Sequence, residues 1–471
     1  MAEQAGPVRV RYAPSPTGVT HIGGARTALF NYLFARHHQG AFLLRIEDTD
    51  RARLQPGSEA QIKEGLTWIG LHWDEPPIVQ SEHLPRYRAA AEQLLSSGAA
   101  YRCFCTPERL EQMRAEQRAR KEPERYDRRC AAIPPEESDR RALAGERFVI
   151  RQRMPAQGTT TLHDLIMGTV EFRNDTLDDH VLLKSDGYPT YHLAFAVDDH
   201  DSRISHVIRG DGWLPSAPKH LLLFQAFGWE PPAFAHLPLV HGPDHKPLAK
   251  RHGARNILEY RDAGYLPEAV VNFIAFLGWS PGTTQDLFTM PELIDAFTIE
   301  RVQPSPAVAN LERLDWLNGQ FIRRLPDDDL ARRLSPWLPQ ASPDQIRPLV
   351  PLVKERLQTL AQAPDLLAFF FGEPAPLPAD AVKDRPAMRQ RIEAAVRRLE
   401  EAPAWSEVEL ESRLRATADA LQIKHGDFFM ALRIALTGRR VTPPLIPSMV
   451  QLGRDRVLAI LRQRLTELAA G

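Results

Sequence analysis

The chain has 471 residues, of which 43% are hydrophobic and 25% are charged, and its formal net charge is −1 at pH 7. Such a composition is that of an ordinary globular protein with room for about three domains, and any nucleic-acid partner must be bound by local basic patches. No apolar run approaches the roughly 18 residues that span a bilayer, and no signal-peptide pattern is present, so we predict a cytoplasmic protein without a membrane partner.

A strand, a loop and a helix are predicted at the start of the chain. Apolar residues alternate with arginines over residues 8–12, as expected for a strand with one buried face. Two prolines then end the strand, Gly18 allows a turn, and Gly23-Gly24 opens an amphipathic helix whose apolar residues recur four apart.

The beginning of this helix is suited to an anion. Unpaired backbone N–H groups and the positive end of the helix dipole favour a phosphate there. His21 lies just ahead of the helix, where its imidazole can donate to a phosphoryl oxygen as charge develops. Glycine turns are also common as plain tight connections, so these residues alone leave both interpretations open.

A second strand is predicted over Ala41–Ile46, and carboxylates follow it directly. In an open α/β sheet, residues after a strand lie at the carboxyl edge, where ligands bind, so Glu47 is a candidate for binding a substrate amine. The alternative is that Asp50 or Ser58 caps the next helix, which we expect over residues 62–71 with Trp68 on its buried side.

From about residue 87 the pattern changes to charged helices and short strands. Helices are predicted over residues 84–95 and 107–120. Short strands are predicted over residues 148–151, 159–162, 169–172 and 181–184. This order indicates a block inserted between two halves of an α/β domain.

The α/β pattern then resumes and gives way to helices. Residues 191–199 and 205–209 are predicted to be strands, and residues 220–227 a helix. A loop rich in Pro, Gly, His and Lys covers residues 239–255. Beyond it the chain is predicted to be almost wholly helical, with prolines separating the helices, so we expect a helical C-terminal domain.

Two motifs carry a family resemblance. Residues 14–23 spell Pro-x-Pro-Thr-Gly-x-x-His-Ile-Gly, which resembles the HIGH signature of class I aminoacyl-tRNA synthetases in the wording of the glutamyl and glutaminyl branch. Residues 246–251 resemble the KMSKS loop: Lys250 and Arg251 match it, whereas Pro247 and Ala249 depart from it. The likeness is strong over residues 7–320 and weak in the remaining helical part.

The resemblance implies an α/β fold with a Rossmann-type catalytic domain, an α+β insertion and an all-α anticodon-binding domain. It implies ATP with Mg²⁺, and catalytic roles for His21 and Lys250. The ATP-binding residues that it implies are Pro14, Thr17, Gly18, His21, Gly23, Gly24, Lys250 and Arg251. Positively charged residues are needed in the signature loop because negative charge builds up on the phosphate oxygens as pyrophosphate leaves. Fixed hydrogen-bond donors must stabilise that charge.

The same resemblance implies a glutamate site formed by Arg11, Ala13, Ser15, Glu47, Tyr191 and Arg209. A guanidinium binds a γ-carboxylate through two hydrogen bonds, so Arg209 would favour glutamate over glutamine. The alternative is that Arg209 pairs with Asp198, Asp199 or Asp211. Phe195 and Gly212 depart from the family pattern nearby.

The cysteines Cys103, Cys105 and Cys130 are too few and odd in number for a disulfide framework. Tetrahedral Zn²⁺ needs four ligands. Zinc-containing glutamyl enzymes place the fourth ligand where this chain has Ala132, and a shortened relative suggests Tyr126 instead. Two interpretations stay open: a structural Zn²⁺ bound by the three cysteines and Tyr126, or three buried thiols without a metal.

The resemblance implies a monomeric glutamate–tRNA ligase that binds L-glutamate and tRNA(Glu). The alternatives are a non-catalytic RNA-binding paralogue and glutaminyl-tRNA synthetase, a family whose C-terminal part consists of β-barrels. Arginines between residues 385 and 398 and at 439–440 are candidates for RNA contacts. The predicted domains are residues 1–86 with 191–242 (catalytic), 87–190 (insertion), 243–326 (signature loop and stem contact) and 327–471 (anticodon binding).

Overall fold

A computed structural model describes residues 6–249, 255–379 and 383–470. The chain divides into two compact units. The first unit comprises Met1–Tyr260 and Val270–Leu311, and the second comprises Arg261–Ala269 and Glu312–Gly471. Within the described ranges, none of the helices combines the length and the apolar character that crossing a membrane requires.

The strands lie in the first unit. They are β1 (Arg9–Tyr12), β2 (Ala41–Ile46), β3 (Ile78–Val79), β4 (Ala100–Cys103), β5 (Val149–Gln152), β6 (Thr159–Asp164), β7 (Gly168–Arg173), β8 (Val181–Leu183), β9 (His206–Gly210), β10 (Ala233–Leu237), β11 (Val240–His241) and β12 (Ala307–Val308).

Helices make up most of the remaining described structure. They are α1 (Ile22–His37), α2 (Ser58–Trp68), α3 (Leu84–Ser96), α4 (Pro107–Ala119), α5 (Pro135–Leu143), α6 (Tyr191–Asp201), α7 (Ala217–Phe227), α8 (Ile257–Asp262), α9 (Pro267–Ala275), α10 (Met290–Ala296), α11 (Leu311–Arg324), α12 (Asp327–Leu334), α13 (Pro343–Ile346), α14 (Val350–Val353), α15 (Ala363–Leu367), α16 (Arg385–Glu400), α17 (Glu407–Ala420), α18 (His425–Thr437), α19 (Leu445–Leu452) and α20 (Arg454–Ala470).

Parallel strands form the frame of the first unit. One sheet has the order β1-β2-β3, and another has the order β7-β6-β10-β9, in which only the β6–β7 pair is antiparallel. The two sheets meet where Ser205 N donates to Arg9 O at 2.9 Å. The carboxyl ends of β1, β2 and β9 therefore lie along one edge, where an open α/β sheet binds its ligands.

The segment predicted as an insertion, residues 87–190, contributes strands to the β7-β6-β10-β9 sheet and side chains to the core beside it. Its strand β6 pairs with β10 through Asp164 and Phe234. Apolar side chains of α3, β5 and β8 pack in one cluster with those of α6 and α7. The strands β4, β5 and β8 form a separate antiparallel sheet.

Strand β1 differs from its prediction in burial. Its arginine Arg11 is 4% exposed, so both faces of the strand are covered rather than one. Central strands of a sheet with helices on both sides are buried on both faces, which removes the alternation. The charge of Arg11 must therefore be balanced inside the protein.

Two further predictions are wrong. Residues 191–199 form helix α6, not a strand. Neither Asp50 nor Ser58 caps a helix with its side chain: α2 begins at Ser58 after Gly57, and no side-chain capping bond forms there. Helix α2 also begins four residues earlier than predicted and ends at Trp68, which is only half-buried.

The second unit is helical, as predicted. Its core is formed by apolar residues of α16, α17, α18, α19 and α20. Gly438 ends α18 in the left-handed region at φ 73°. A Cβ at Gly438 would lie 2.1 Å from the carbonyl oxygen of Ala375, so only glycine fits this close approach.

Candidate active site

Helix α1 opens toward solvent at its N-terminus. His21 occupies the N-cap position, is exposed and makes no side-chain capping bond, and the first turn contains no acidic residue. Ala25 N donates to His21 O at 2.9 Å, which closes the first turn. The positive end of the helix is thus not neutralised by the helix's own side chains, which suits an anion.

The loop before α1 is fixed by contacts with α2. Ser58 Oγ accepts a hydrogen bond from Gly18 N at 3.1 Å and donates to Gly18 O. Gln55 N donates to Pro16 O at 3.0 Å. Ser58, which the sequence suggested as a cap, instead holds the loop that carries the proposed phosphate-binding residues.

The residues that follow the signature loop contact the residues just before α1. Asn256 forms an isolated bridge with His21, and Ile257 N donates to Thr20 O at 3.0 Å. These contacts attach the end of the signature loop to the helix that His21 precedes. The predicted cations Lys250 and Arg251 lie outside the described residues.

A buried arginine attaches the start of the same loop to α1. Arg26 Nη1 donates to Leu277 O at 3.1 Å, and Arg26 Nη2 donates to Pro238 O. Pro238 lies two residues before β11, from which the signature loop extends. Burial lowers the pKa of Arg26 to about 10, against the attraction of Asp211.

A cavity of about 240 Å³ lies at the carboxyl edge of the sheet. The six residues predicted to bind glutamate all line it, together with five others: Arg11, Ala13, Ser15, Glu47, Tyr191 and Arg209, with Tyr12, Thr27, Ile208, Gly210 and Trp213. Its volume is close to the lower end of the range of small-ligand sites. Their proximity is a feature of the structure, and their roles stay predictions.

A buried charge network includes two of the cavity residues, Arg11 and Glu47. Arg11 Nε donates to Asp199 Oδ1 at 2.9 Å, and Arg45 Nη1 donates to the same oxygen. Arg45 Nη2 also donates to Glu47 Oε1 at 3.0 Å. Asp198 completes the network and accepts from Tyr87 Oη at 2.8 Å.

This network holds opposite charges next to one another in a buried environment. Burial raises the pKa of Glu47, although Arg45 opposes the shift. For Asp199 burial also acts to raise the pKa, but Arg11 and Arg45 outweigh it and the pKa is lowered. Removal of one partner would leave a buried charge unbalanced, which is far more costly than loss of a surface pair.

Arg209 also lines the cavity and is 5% exposed. Its Nε donates to His236 Nε2 at 3.0 Å and its Nη1 to Tyr191 Oη at 3.2 Å. Its Nη1 and Nη2 both lie 3.3 Å from His220 Nδ1, and Nη2 lies 3.5 Å from Trp213 O. Burial lowers the pKa of Arg209.

The alternative in which Arg209 pairs with an aspartate is wrong for the described residues. Asp199 binds Arg11 and Arg45, and Asp198 binds the hydroxyl of Tyr87. Asp211 Oδ2 accepts from the backbone N of Leu239 at 3.3 Å. No carboxylate of the described residues therefore forms an ion pair with the Arg209 guanidinium.

Aromatic residues pack around the two arginines. Phe195, a departure from the family pattern, is fully buried and does not line the cavity. The Arg11 guanidinium lies 5.5 Å and that of Arg209 lies 5.0 Å from the centre of its ring. Trp213 stacks on Tyr191 with ring centres 4.0 Å apart and remains 41% exposed.

Sequence reasoning missed the residues that hold the predicted ones in place, namely Arg45, Asp164, His220 and His236. Arg45 lies two residues before Glu47 in a strand that is otherwise apolar. Nothing in the sequence pattern indicated a role for it in the site. Asp164 and His236 are 72 residues apart. Only the paired strands β6 and β10 bring them together.

The cysteines form a cluster beside β4. Each Sγ of Cys103, Cys105 and Cys130 lies within 4.8 Å of the other two. Cys105 Sγ is 3.6 Å from Cys130 Sγ and 3.4 Å from Tyr126 Oη. Tetrahedral zinc with bonds of about 2.3 Å to sulfur needs ligand atoms separated by roughly 3.5 to 4 Å, so the donor set fits the ion.

Two models of known protein families match the chain. Residues 7–316 match the model of the family described as tRNA synthetases class I (E and Q), catalytic domain. The chain belongs to this family. Residues 329–465 match a second model, described as an anticodon binding domain. The predicted α/β catalytic fold followed by a helical anticodon-binding part is thereby confirmed.

Relatives in the class I synthetase family cover the chain nearly end to end. A glutamate–tRNA ligase of Dehalococcoides mccartyi is 45% identical over 98% of this chain and 99% of its own length. A glutamate–tRNA ligase of Treponema pallidum is 40% identical over 98% and 99%, respectively.

Solved structures give the same assignment. The crystal structure of a glutamate tRNA ligase from Elizabethkingia meningosepticum in complex with its amino acid has a TM-score of 0.89 and is 34% identical, covering 98% of this chain and all of that one. The glutamate-tRNA synthetase from Elizabethkingia anophelis has a TM-score of 0.85 and is 35% identical with the same coverage.

Proposed function

We propose that the chain is a glutamate–tRNA ligase, which activates L-glutamate with ATP and transfers the glutamyl group to the terminal adenosine of tRNA(Glu). The observation that carries the proposal is the composition of one cavity. It is lined both by Glu47, a carboxylate paired with Arg45, and by Arg209, a buried guanidinium without an ion-pair partner among the described residues. Family membership and the names of the relatives support the same reaction.

The cavity matches the charges of glutamate. In the proposed complex, Glu47 accepts from the ammonium group, and Arg11 with the hydroxyl of Ser15 lies toward the α-carboxylate. The γ-carboxylate binds Arg209 and Tyr191. A neutral side-chain amide would provide no charge for a buried guanidinium, so the site favours glutamate over glutamine.

The first reaction joins the amino acid to AMP. An oxygen of the α-carboxylate forms a bond to the α-phosphorus of ATP, and the bond from that phosphorus to pyrophosphate breaks. We assign the phosphate-binding role to the residues from Pro14 to Gly24, with His21 and Lys250 donating to the oxygens that gain charge. Mg²⁺ bound with ATP neutralises phosphate charge.

The second reaction transfers the acyl group to RNA. The terminal ribose hydroxyl of the tRNA forms a bond to the carbonyl carbon, and AMP leaves. We assign residues 1–86 with 191–242 to catalysis, 87–190 to the acceptor end, 243–326 to the signature loop and stem, and 327–471 to the anticodon. In the last of these, support for RNA contact comes from the match to an anticodon binding domain and from the arginines of α16.

We further propose that Cys103, Cys105, Cys130 and Tyr126 hold a structural Zn²⁺. The spacing of the four donor atoms supports this. So does the nearby positive charge, because the Arg151 guanidinium lies 4.1 Å from the centre of the Tyr126 ring. Three thiolates and one divalent ion carry a net negative charge, which a buried guanidinium stabilises.

Elemental analysis of the purified chain tests the zinc proposal. We expect about one zinc per chain, and Cys105→Ser and Tyr126→Phe should each lower the affinity measured against a chelator. Tyr101→Phe is the matched control, because the Tyr101 hydroxyl binds Asp179 rather than the cysteines. Zinc-free protein that is equally stable with and without added zinc would overturn the proposal.

Glutamate-dependent exchange of pyrophosphate into ATP tests the main proposal. It should be measured with and without tRNA(Glu), and with glutamine in place of glutamate. We expect exchange that requires tRNA and strongly prefers glutamate. Arg209→Gln should reduce kcat/KM for glutamate by roughly a hundredfold or more, because a charge-assisted bidentate interaction is lost.

A non-catalytic RNA-binding paralogue is the second candidate, because Pro247 and Ala249 alter the signature loop. It predicts tRNA binding without any exchange. A double variant, Pro247→Lys with Ala249→Ser, restores the residues that the family has in this loop and separates the two candidate functions. Pyrophosphate exchange by this variant and not by the natural chain would show that the natural loop disables catalysis.

A further inference from the structure

A series of buried side chains extends behind Arg209, away from the cavity. Asp164 and His236 are both without exposed side-chain surface. Asp164 Oδ1 accepts from Ile166 N at 3.0 Å and from Met167 N at 2.9 Å. Asp164 Oδ2 accepts from His236 N at 3.1 Å and lies 2.6 Å from His236 Nδ1.

These partners determine which ring nitrogen of His236 carries the proton. A carboxylate only accepts hydrogen bonds, so His236 Nδ1 must be the donor to Asp164. Nε2 is then free to accept from Arg209 Nε at 3.0 Å. Burial lowers the pKa of His236 despite the opposing effect of Asp164, which keeps the ring neutral at pH 7.

His220 provides a second neutral acceptor for the same guanidinium. Its Nδ1 faces Arg209 Nη1 and Nη2, both at 3.3 Å, and must therefore be unprotonated. Its Nε2 lies 2.9 Å from His192 Nδ1. Burial and the charge of Arg209 hold the pKa of His220 well below its usual value.

We propose that Asp164 and His236 are positioning residues for glutamate recognition: Asp164 fixes the tautomer of His236, and His236 holds the Arg209 guanidinium in place without neutralising its charge. This inference rests on the proposed function. A carboxylate in the place of His236 would orient the arginine equally well but would cancel the charge that a ligand carboxylate needs. A neutral imidazole orients the guanidinium and leaves its charge available.

Asp164→Asn is an isosteric test, because it reverses the direction of the hydrogen bond to His236 Nδ1. The backbone N of His236, which also lies 3.2 Å from Asp164 Oδ1, keeps an acceptor in the amide oxygen. The backbone N–H groups of Ile166 and Met167 hold the amide oxygen in the position of Oδ1. The amide nitrogen then replaces Oδ2 and donates to His236 Nδ1. The proton of His236 moves to Nε2, where it points at Arg209 Nε–H, and two donors face each other.

His236→Gln is the conservative rescue. A glutamine amide carries a donor and an acceptor about as far apart as the two ring nitrogens, so it can donate to Asp164 and accept from Arg209. His236→Phe keeps the ring but removes both functions. Asp179→Asn is the matched control. Asp179 is also buried and also accepts from a backbone N–H, that of Met154, but its side-chain partners are Tyr101 and Arg128 and it has no contact with Arg209.

Pyrophosphate exchange with saturating tRNA(Glu) gives the functional readout. We expect Asp164→Asn and His236→Phe to raise KM for glutamate by about tenfold or more and to reduce the preference for glutamate over glutamine. The kcat and the KM for ATP should change by less than about threefold, and His236→Gln and Asp179→Asn should resemble the wild type. Equal KM values for glutamate in wild type and Asp164→Asn would overturn the proposal, as would a loss confined to kcat.

A spectroscopic readout separates this inference from the proposed function. Nitrogen-15 NMR of labelled histidines reports which ring nitrogen is protonated, with His236→Gln used to assign the resonance. We expect His236 to carry its proton on Nδ1 in the wild type and on Nε2 in Asp164→Asn. If the wild type shows no exchange, the proposed function fails, and calorimetric titration with L-glutamate then decides the inference: unchanged affinity in Asp164→Asn would overturn it.

Discussion

At the residue scale, the two glycines that open α1 have different surroundings. A Cβ at Gly23 would meet nothing within 4 Å, whereas a Cβ at Gly24 would lie 2.8 Å from Tyr12 Oη. Tyr12 is 7% exposed, so its ring has little room to move. Gly24 is thus required for packing against β1, and Gly23 leaves space at the proposed phosphate site.

We expect Gly24→Ala to lower the free energy of unfolding by about 1 to 2 kcal/mol relative to Gly23→Ala, because the new methyl group must displace a buried ring. The helix propensity gained is the same for both substitutions, so it cancels in the comparison. Urea unfolding, with the peptides of the first unit followed by hydrogen exchange, measures the difference.

Tyr12→Phe provides the control, because it removes the hydroxyl oxygen that the methyl group meets. In that background, the two alanine variants should be equally stable. A difference that persists without the hydroxyl would show that Gly24 is needed for a reason other than this contact.

Residue-level patterns predicted the residues that line the cavity but not the buried residues that hold them in place. The family resemblance identified six residues that line one cavity, although they come from distant parts of the sequence. The partners that orient them are distant: Arg11 and Asp199 are 188 residues apart, and Arg45 and Asp199 are 154 apart. A single arginine within a strand carries no sign of the carboxylate that will balance it, so this network depends on the fold.

At the element scale, Arg26 links α1 to the segments around the signature loop. It is 4% exposed and donates to the carbonyl oxygens of Pro238 and Leu277. We expect Arg26→Met to lower the free energy of unfolding of the first unit by about 3 kcal/mol, because two buried carbonyl groups lose their donor. Urea titration followed by hydrogen exchange tests this value.

Arg36→Met is the matched control on the same helix. Arg36 forms a two-pronged ion pair with Asp74, at 2.8 and 2.9 Å, near the surface. Exposed pairs contribute about 1 kcal/mol or less, so the control should be much milder. Equal losses in the two variants would indicate that Arg26 acts only as a surface charge does.

Helices were predicted well where polar residues are exposed and poorly where none are. Helix α4, which has no fully buried residue, was predicted within one residue of its bounds. Strand β2 was also predicted with its bounds, although five of its six residues are buried, because its short apolar run is followed directly by carboxylates. Helix α6 was taken for a strand because all its residues from Leu193 to Asp199 are buried, so no polar face reveals the period of 3.6 residues. The alternation of Leu193, Phe195 and Val197 imitates a strand.

At the scale of the whole molecule, the histidines with a lowered pKa are unevenly distributed between the two units. Burial lowers the pKa of His192 and of His206 to about 4, and that of His180 and His220 well below the usual value. All of them lie in the first unit. The second unit contains a single histidine, His425, whose side chain is 38% exposed.

We expect acid to destabilise the first unit selectively. A histidine whose pKa is lower in the folded than in the unfolded state contributes full stability above pH 6.5, and this contribution is lost as the pH falls toward 4, because only the unfolded chain takes up the proton. For His192 the shift from 6.5 to about 4 corresponds to about 3 kcal/mol. Hydrogen exchange at pH 7 and pH 5, corrected for intrinsic rates, measures each unit in the intact chain.

His192→Gln tests whether these protons cause the effect. The variant keeps a hydrogen-bonding group near His220 but cannot take up a proton, so the fall in stability between pH 6.5 and 4 should be shallower by the contribution of one group. Second-unit peptides should show the same dependence in both proteins. Two outcomes would contradict the prediction: a parallel loss of stability in both units over this interval, or the full slope in the variant. Either would show that these histidines do not cause the acid sensitivity, and carboxylates, which both units contain, would then be its origin.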